Sequence, residues 1–343
     1  MKTAVVILNW NGIQYLRQFL PVLVENTKDA QIVVVDNQST DDSIAFVQQD
    51  FPAVRVIVNE SNGGFAKGYN DGLAQLKGDF DYYVLINSDI EVTENWLQPL
   101  IGKLESDSTI AGVQPKVLSY NQKSKFEYAG ASGGFIDKNL YPFCRGRIFD
   151  ALEEDKGQYD TETEVFWVTG ACMAVRADVY HQLGGLDAGF FAHMEEIDFC
   201  WRAKQQNYRF YAVPQAKVYH VGGGTLAYDN PRKTFLNFRN SLYMIHKNYQ
   251  GWLFGKVFYR LVLDGVAGAK FALSFKFSHV MAIIKAHFAY YGHLSVLSKQ
   301  RKEIKSQRTT FNGTGYYNAS ILWAYYFKKI RKFEELNKRF FSK

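Results

Sequence analysis

Two short acidic clusters carry the residue types that could do chemistry. The first is Asn87-Ser88-Asp89, which closes the apolar run Tyr82-Tyr83-Val84-Leu85-Ile86. In an open α/β sheet, ligands gather outside the carboxyl ends of the strands. Asp89 therefore stands where a carboxylate can hold a divalent ion, and the ion a diphosphate. The second cluster is Glu195-Glu196-Ile197-Asp198, preceded by Phe190 to Met194 and followed by Phe199-Cys200-Trp201-Arg202. Adjacent carboxylates at a helix start are favoured by the helix dipole. They are either decoration of that start or the source of a general base, since proton abstraction needs a carboxylate placed at the reacting hydroxyl. Asp198 and Arg202, four residues apart, read as an ion pair on the helix surface.

Other segments offer ligand contacts. Asp36 ends the run Gln31 to Val35 and can accept hydrogen bonds from a base or a ribose, while Ser39 to Asp42 supplies N-caps for the next helix. Asn59 to Asn70 is a Gly-rich strand-to-helix turn of the kind that presents backbone amides to phosphate. After the first strand stands Asn9-Trp10-Asn11-Gly12, not Gly-x-Gly-x-x-Gly, which disfavours a nicotinamide dehydrogenase. His220 follows an apolar strand; with Asp89 as its mate, oxygen-plus-imidazole ligation suits Mn2+ or Mg2+ on a diphosphate. Gly222-Gly223-Gly224 cannot sit inside an element and reads as a mobile loop.

Positioning these groups requires strands that end together. Thr3–Leu8, 31–35, 54–58 and 82–86 read as strands, with helices over about 13–25, 42–49 and 66–76 between them. Continuous apolar strands separated by helices imply a doubly wound, mainly parallel α/β sheet covered on both faces. From about Leu118 to Glu164 the pattern loosens into a hairpin-bearing excursion. A first domain over 1–230 is expected, then a helical, basic, aromatic-rich region over 231–343. In that region Leu261 to Phe277 is the most apolar stretch, yet Asp264, Lys270 and Lys276 interrupt it. A spanning helix needs roughly 20 largely uncharged residues, so an in-plane amphipathic or buried helix is expected instead.

Of the 343 residues, 47% are hydrophobic and 22% charged, enough apolar content for a full core. Cys144, Cys172 and Cys200 are odd in number and widely spaced, which argues against a disulfide framework or structural zinc. With no long apolar leader before Thr3, a cytoplasmic or cytoplasm-facing protein is expected. The net charge of +6 is uneven: Ser295 to Lys343 holds twelve Lys and Arg against three Glu, a net of +9. Basic residues interleaved with aromatics suit an anionic membrane surface or nucleic acid. Removing the chain after about Ser295 is expected to leave a soluble enzyme with weaker vesicle binding.

In order along the chain, these pieces resemble the inverting glycosyltransferases of family 2, of GT-A fold, and within them the rhamnosyltransferase-like branch of bacterial surface-polysaccharide synthesis. The likeness covers about Thr3 to Asn240 and rests on Val6 to Gly12, Val35 to Ser39, Asn62-Gly63-Gly64-Phe65 with Asn70, and Asn87-Ser88-Asp89. It continues with Thr169-Gly170-Ala171, Glu195 to Arg202, His220 and Arg239-Asn240. The resemblance implies a nucleoside-diphosphate sugar donor (UDP- or dTDP-linked) and a saccharide or polyprenyl-linked acceptor. By it, Asp36 reads the nucleobase, Asn9 lies at the ribose, and Asn62, Gly63 and Asn70 line the nucleotide pocket. Asn87 and Ser88 fall in the Asp-x-Asp position, Asp89 and His220 bind the metal, and Gly170 and Ala171 border the sugar. Glu196 stands where the family has its base, with Glu195 the other candidate.

Two residues depart from the pattern: Asn87 replaces the first acid of Asp-x-Asp, and Glu196 replaces Asp. The triple-glycine loop would close over the diphosphate, with Arg232 and Lys233 as phosphate partners. Peripheral membrane attachment at the inner face is implied, nucleic acid is not, and the aromatic C-terminal helices could bury a homodimer interface. Alternatives are a catalytically inactive nucleotide-binding relative and a nucleotidyltransferase, which lacks its Gly-rich, basic signature here.

Overall fold

The structure is a computed structural model that describes residues 1–127, 130–222 and 230–342. Strands and helices alternate first: β1 (Thr3–Asn9), α1 (Ile13–Glu25), β2 (Gln31–Asp36), α2 (Ser43–Asp50), β3 (Arg55–Val58), α3 (Gly64–Ala74) and β4 (Tyr82–Asn87). Then come β5 (Ile90–Val92), α4 (Leu97–Ser106), β6 (Ile110–Ser119), β7 (Gly134–Asp137), β8 (Pro142–Cys144), β9 (Arg147–Ile148) and β10 (Ala151–Leu152). The middle of the chain forms β11 (Thr163–Val165), β12 (Cys172–Arg176), α5 (Ala177–Gln182), α6 (Glu195–Lys204) and β13 (Arg209–His220). The last part contains α7 (Pro231–Asn248), α8 (Leu253–Leu273), α9 (Phe277–Gly292), α10 (Leu294–Gln307), β14 (Tyr316–Tyr317) and α11 (Ile321–Tyr326).

The main sheet runs β3-β2-β1-β4-β12-β6-β13-β11, with β5 on β13. β3, β2, β1 and β4 are mutually parallel, and β12 joins antiparallel to β4. The continuous apolar strands are explained by burial on both faces. Ala4 and Val6 of β1 belong to one core and Val5 and Ile7 to the other, as the alternation of side chains along a strand requires.

Register sets the site. Asn9 pairs with Asp36 and Leu8 with Asn87, so β1, β2 and β4 end in one row. His220, the last residue of β13, pairs with Ile90 of β5 and so arrives beside Asp89.

The 118–164 excursion forms a small sheet, β10-β9-β8-β7-β14, whose last strand comes from the C-terminal region. The tail's aromatics are divided. Phe333 and Phe341 pack on Phe135 at ring distances of 4.8 and 5.4 Å, and Tyr317 packs on Phe143 at 5.8 Å. Trp323 and Phe327 stack on each other and stay exposed. The tail therefore completes the core rather than forming a detachable surface arm. The three cysteines are unpaired and buried.

Among the described residues no helix is long and apolar enough to cross a membrane. α8, which contains most of the Leu261–Phe277 stretch, is neither buried nor spanning. Its Phe254, Phe258, Val262 and Val266 are exposed.

Candidate active site

A cavity of about 400 Å3 opens at the carboxyl ends of β1 and β4. It brings together Asn62, Asn87, Ser88, Asp89, Gly170, Ala171, Glu195, Glu196, His220 and Arg232 from six separate segments of the chain. Asn9, Asp36, Gly63 and Asn70 do not line it. Asp36 is fully buried; its carboxylate accepts from Asn9 Nδ2 (2.8 Å), Ser39 Oγ (2.7 Å) and Ser39 N (2.6 Å). It thereby fixes the turn after β2. Asn70 is committed elsewhere, donating to the Leu186 carbonyl (2.6 Å) and accepting from Tyr180 Oη (2.7 Å). Gly64 lines the cavity in place of Gly63. Its φ of +83° and the Phe191 ring, 2.6 Å from where a Cβ would stand, leave room for glycine alone.

His220 lies between two acids. Its Nε2 is 3.1 Å from Asp89 Oδ1 and its Nδ1 is 3.1 Å from Glu127 Oε2. Burial alone would lower its pKa, but hydrogen bonds to the two carboxylates outweigh it and push the imidazole up to about 10. Asp89 is held low against its own burial by His220. A carboxylate oxygen and an imidazole nitrogen are a donor set that would suit Mn2+ or Mg2+. Asp89 and His220 supply that set side by side in the cavity. Glu127 on the far ring nitrogen is the orienting partner a metal-bound histidine commonly has. Among the described residues no cluster of three or more acidic, histidine or cysteine side chains could hold a metal.

Opposite this pair, α6 begins with Glu195 and Glu196. Burial raises both carboxyls: Glu195 well above the carboxylate range, with the charge of Glu196 adding to it, and Glu196 up to about 7. Each has an Oε2 buried without a hydrogen-bond partner. The loop entering α6 is strained, with Phe191, His193 and Met194 at φ of 66°, 70° and 74°. Such residues persist only where their surroundings over-determine them. Asn240 of α7 supplies that constraint: its Nδ2 lies within 2.8–3.0 Å of the carbonyls of Phe190, Ala192 and His193. Arg239 adds a bond to the Phe190 carbonyl at 2.8 Å.

The Asp198–Arg202 pair exists at 2.8 Å, but it is buried rather than on the helix surface. Lys247 (3.0 Å) and Asn248 (2.7 Å) of α7 cover Asp198 and tie α6 to that helix. Gly223 and Gly224 lie outside the described residues.

Glu127, Trp10, Phe65, Phe191 and Lys233 also line the cavity. No spacing signal marked Glu127, which follows β6 in the loosely patterned excursion.

A mainly parallel α/β sheet with helices on its faces is the architecture of the GT-A glycosyltransferases. The chain belongs to the Glycosyl transferase family 2, whose pattern matches residues 4–184. It is similar to N-acetylglucosaminyl-diphospho-decaprenol L-rhamnosyltransferase of Mycobacterium tuberculosis, 22% identical over 72% of this chain and 85% of that protein. It is also similar to Rhamnosyltransferase WbbL of Escherichia coli K12, 24% identical over 63% of this chain and 82% of that one. Among solved structures, GalNAc-T7 with UDP, GalNAc and Mn2+ superposes with a TM-score of 0.62 at 15% identity. That alignment covers 96% of this chain and 57% of the longer one.

Proposed function

We propose that the chain is an inverting transferase that moves a sugar from a UDP- or dTDP-linked donor to a hydroxyl of a saccharide or lipid-linked saccharide. The observation that carries this is Glu196: a carboxyl near pKa 7, with a free acceptor oxygen, in the same cavity as Asp89 and His220. A base works best when its pKa lies near the working pH.

In this reading Glu196 takes the acceptor hydroxyl's proton as that oxygen attacks the anomeric carbon. The bond to the diphosphate breaks, the nucleoside diphosphate leaves, and the anomeric centre inverts. Glu195 sits beside it, its ionisation opposed by the same burial and by the charge of Glu196. Gly170 and Ala171 border the sugar. Arg232 and Lys233 face the departing diphosphate. Asp36 shapes the nucleotide wall by holding Asn9 and Ser39. Asp89 and His220 would hold Mn2+ or Mg2+, with Glu127 orienting the ring; when bound, the ion neutralises charge on the leaving diphosphate. The Mycobacterium relative's lipid-linked substrate supports an acceptor presented at the inner face of a membrane.

The test is isothermal titration with UDP and dTDP, with and without Mn2+, on the natural chain and on Asp89→Ala. Metal-dependent binding that Asp89→Ala abolishes is the expected result. Absence of binding by either nucleotide would overturn the proposal.

A further inference from the structure

We propose that the turn joining α8 to α9 is a membrane-insertion element, placing Leu273, Phe275 and Phe277 into the interface of a bilayer with anionic headgroups. The inference deepens the lipid-linked acceptor reading above and rests on it.

The turn is built to point apolar side chains outward. Leu273, Phe275 and Phe277 are 84%, 82% and 59% exposed. The end of α8 closes with Lys276 N donating to the Phe271 carbonyl (2.9 Å) and Phe275 N to the Ala272 carbonyl (3.0 Å). This double closure puts Phe275 at the left-handed position that glycine ordinarily fills, at φ 57°. A bulky residue there is unfavourable, and its side chain gains little burial in return. Its ring meets that of Phe277 at 6.3 Å. A surrounding lipid phase would supply the missing burial.

Behind the turn both helices continue the apolar surface. Phe254, Phe258, Val262 and Val266 recur every fourth residue along α8, exposed throughout. On α9, Met281, Ile284 and Phe288 do the same at helical spacing.

Charge selects the partner. Lys270, Lys276 and Lys285 are exposed around the turn, and Asp264, the one acid between Gly251 and Leu294, is buried against Arg260 at 2.8 Å. A two-fold contact with a second copy would bring like charges together. An anionic lipid surface attracts them, and lysine stems can reach past apolar surface to its headgroups.

The turn is also joined to the catalytic cavity. His279 stacks on Phe271 at 4.8 Å, and its Nδ1 is 2.8 Å from Thr234 Oγ1. Thr234 directly follows Arg232 and Lys233, which line the cavity. A bilayer that accepts the turn would therefore hold a lipid-borne acceptor near the start of α7.

The full chain should co-sediment with vesicles of phosphatidylcholine and phosphatidylglycerol, and less with phosphatidylcholine alone. Phe275→Asp/Phe277→Asp should weaken that partition by at least about ten-fold, with transfer to a soluble acceptor analogue unchanged. Phe275→Trp should show blue-shifted emission on the anionic vesicles. Wild-type partition by the double aspartate variant, or no partition by the natural chain, would overturn the proposal. So would light scattering that shows a dimer which the double variant splits. Loss of UDP and dTDP binding with intact vesicle partition would overturn the donor reading alone and leave insertion standing.

Discussion

Asn240 Nδ2 lies 2.8 Å from the carbonyl oxygen of His193, so a helix 47 residues downstream fixes the backbone that aims Glu195 and Glu196. Three successive constraints meet there: the left-handed residues before α6, the carbonyls they expose, and the one amide that collects them. Asn240→Ala should lower kcat by about ten-fold or more and destabilise the fold by about 1–3 kcal/mol, the cost of buried carbonyls left unpaired. Paired measurement of kcat and the thermal midpoint checks both. Wild-type kcat with a lowered midpoint would show that the loop does not need the clamp for catalysis.

Glu196→Gln should reduce transfer by about 10²–10⁴-fold, the usual worth of a positioned base, with nucleotide binding retained. The pH profile has a definite sign. A carboxyl raised to about 7 is protonated below that pH, so kcat should rise as pH increases through about 7. Because the folded state binds this proton more tightly than the unfolded chain, the natural carboxyl loses stability between its ordinary pKa and about 7. The Gln variant should therefore melt higher than the natural chain at pH 8, with the difference disappearing near pH 4.

Glu127→Gln keeps the side chain's shape but removes the charge that faces His220 Nδ1. It should weaken Mn2+ affinity by about 10–100-fold, read by titrating the metal itself. Nucleotide binding without metal should be unchanged. Equal metal affinity in the two proteins would remove Glu127 from the ring's orientation.

Gly64→Ala places a methyl group against the Phe191 ring and carbonyl at a backbone angle that disfavours it. The expected loss is about 1–3 kcal/mol, with nucleotide affinity falling as the start of α3 shifts. Denaturant melts and a UDP titration measure the two effects.

Deleting the chain after Ser295 should leave an aggregating protein rather than a soluble one. The deletion removes β14 and the rings that cover Phe135 and Phe143. A monodisperse, folded truncation would show that the small sheet stands without its cover.

β1, β2 and β4 and the row of polar residues at their ends were readable because parallel strands buried on both faces leave unbroken apolar runs. Asp89 was readable because it follows such a run, and His220 as its mate because oxygen-plus-imidazole ligation suits Mn2+ or Mg2+. Glu127 was not, because it enters the site from an excursion without periodicity. The Asp198–Arg202 spacing announces an ion pair but says nothing of what covers it, and the covering groups, Lys247 and Asn248, lie on another helix. In the tail, composition revealed basic and aromatic residues together. Only tertiary packing decides that Phe333 and Phe341 turn inward while Trp323 and Phe327 turn out.

The parallel pairing of β14 with β7 joins Tyr316 to Ile136 across more than half the chain. During synthesis the small sheet's outer strand is made long after β7 has emerged. The nascent protein must then keep Phe135 and Phe143 uncovered until Tyr317 and Phe333 have emerged, a window in which exposed apolar surface invites aggregation. Docking of β14 and of Phe341, rather than completion of the nucleotide-binding half, is the event that closes the small sheet.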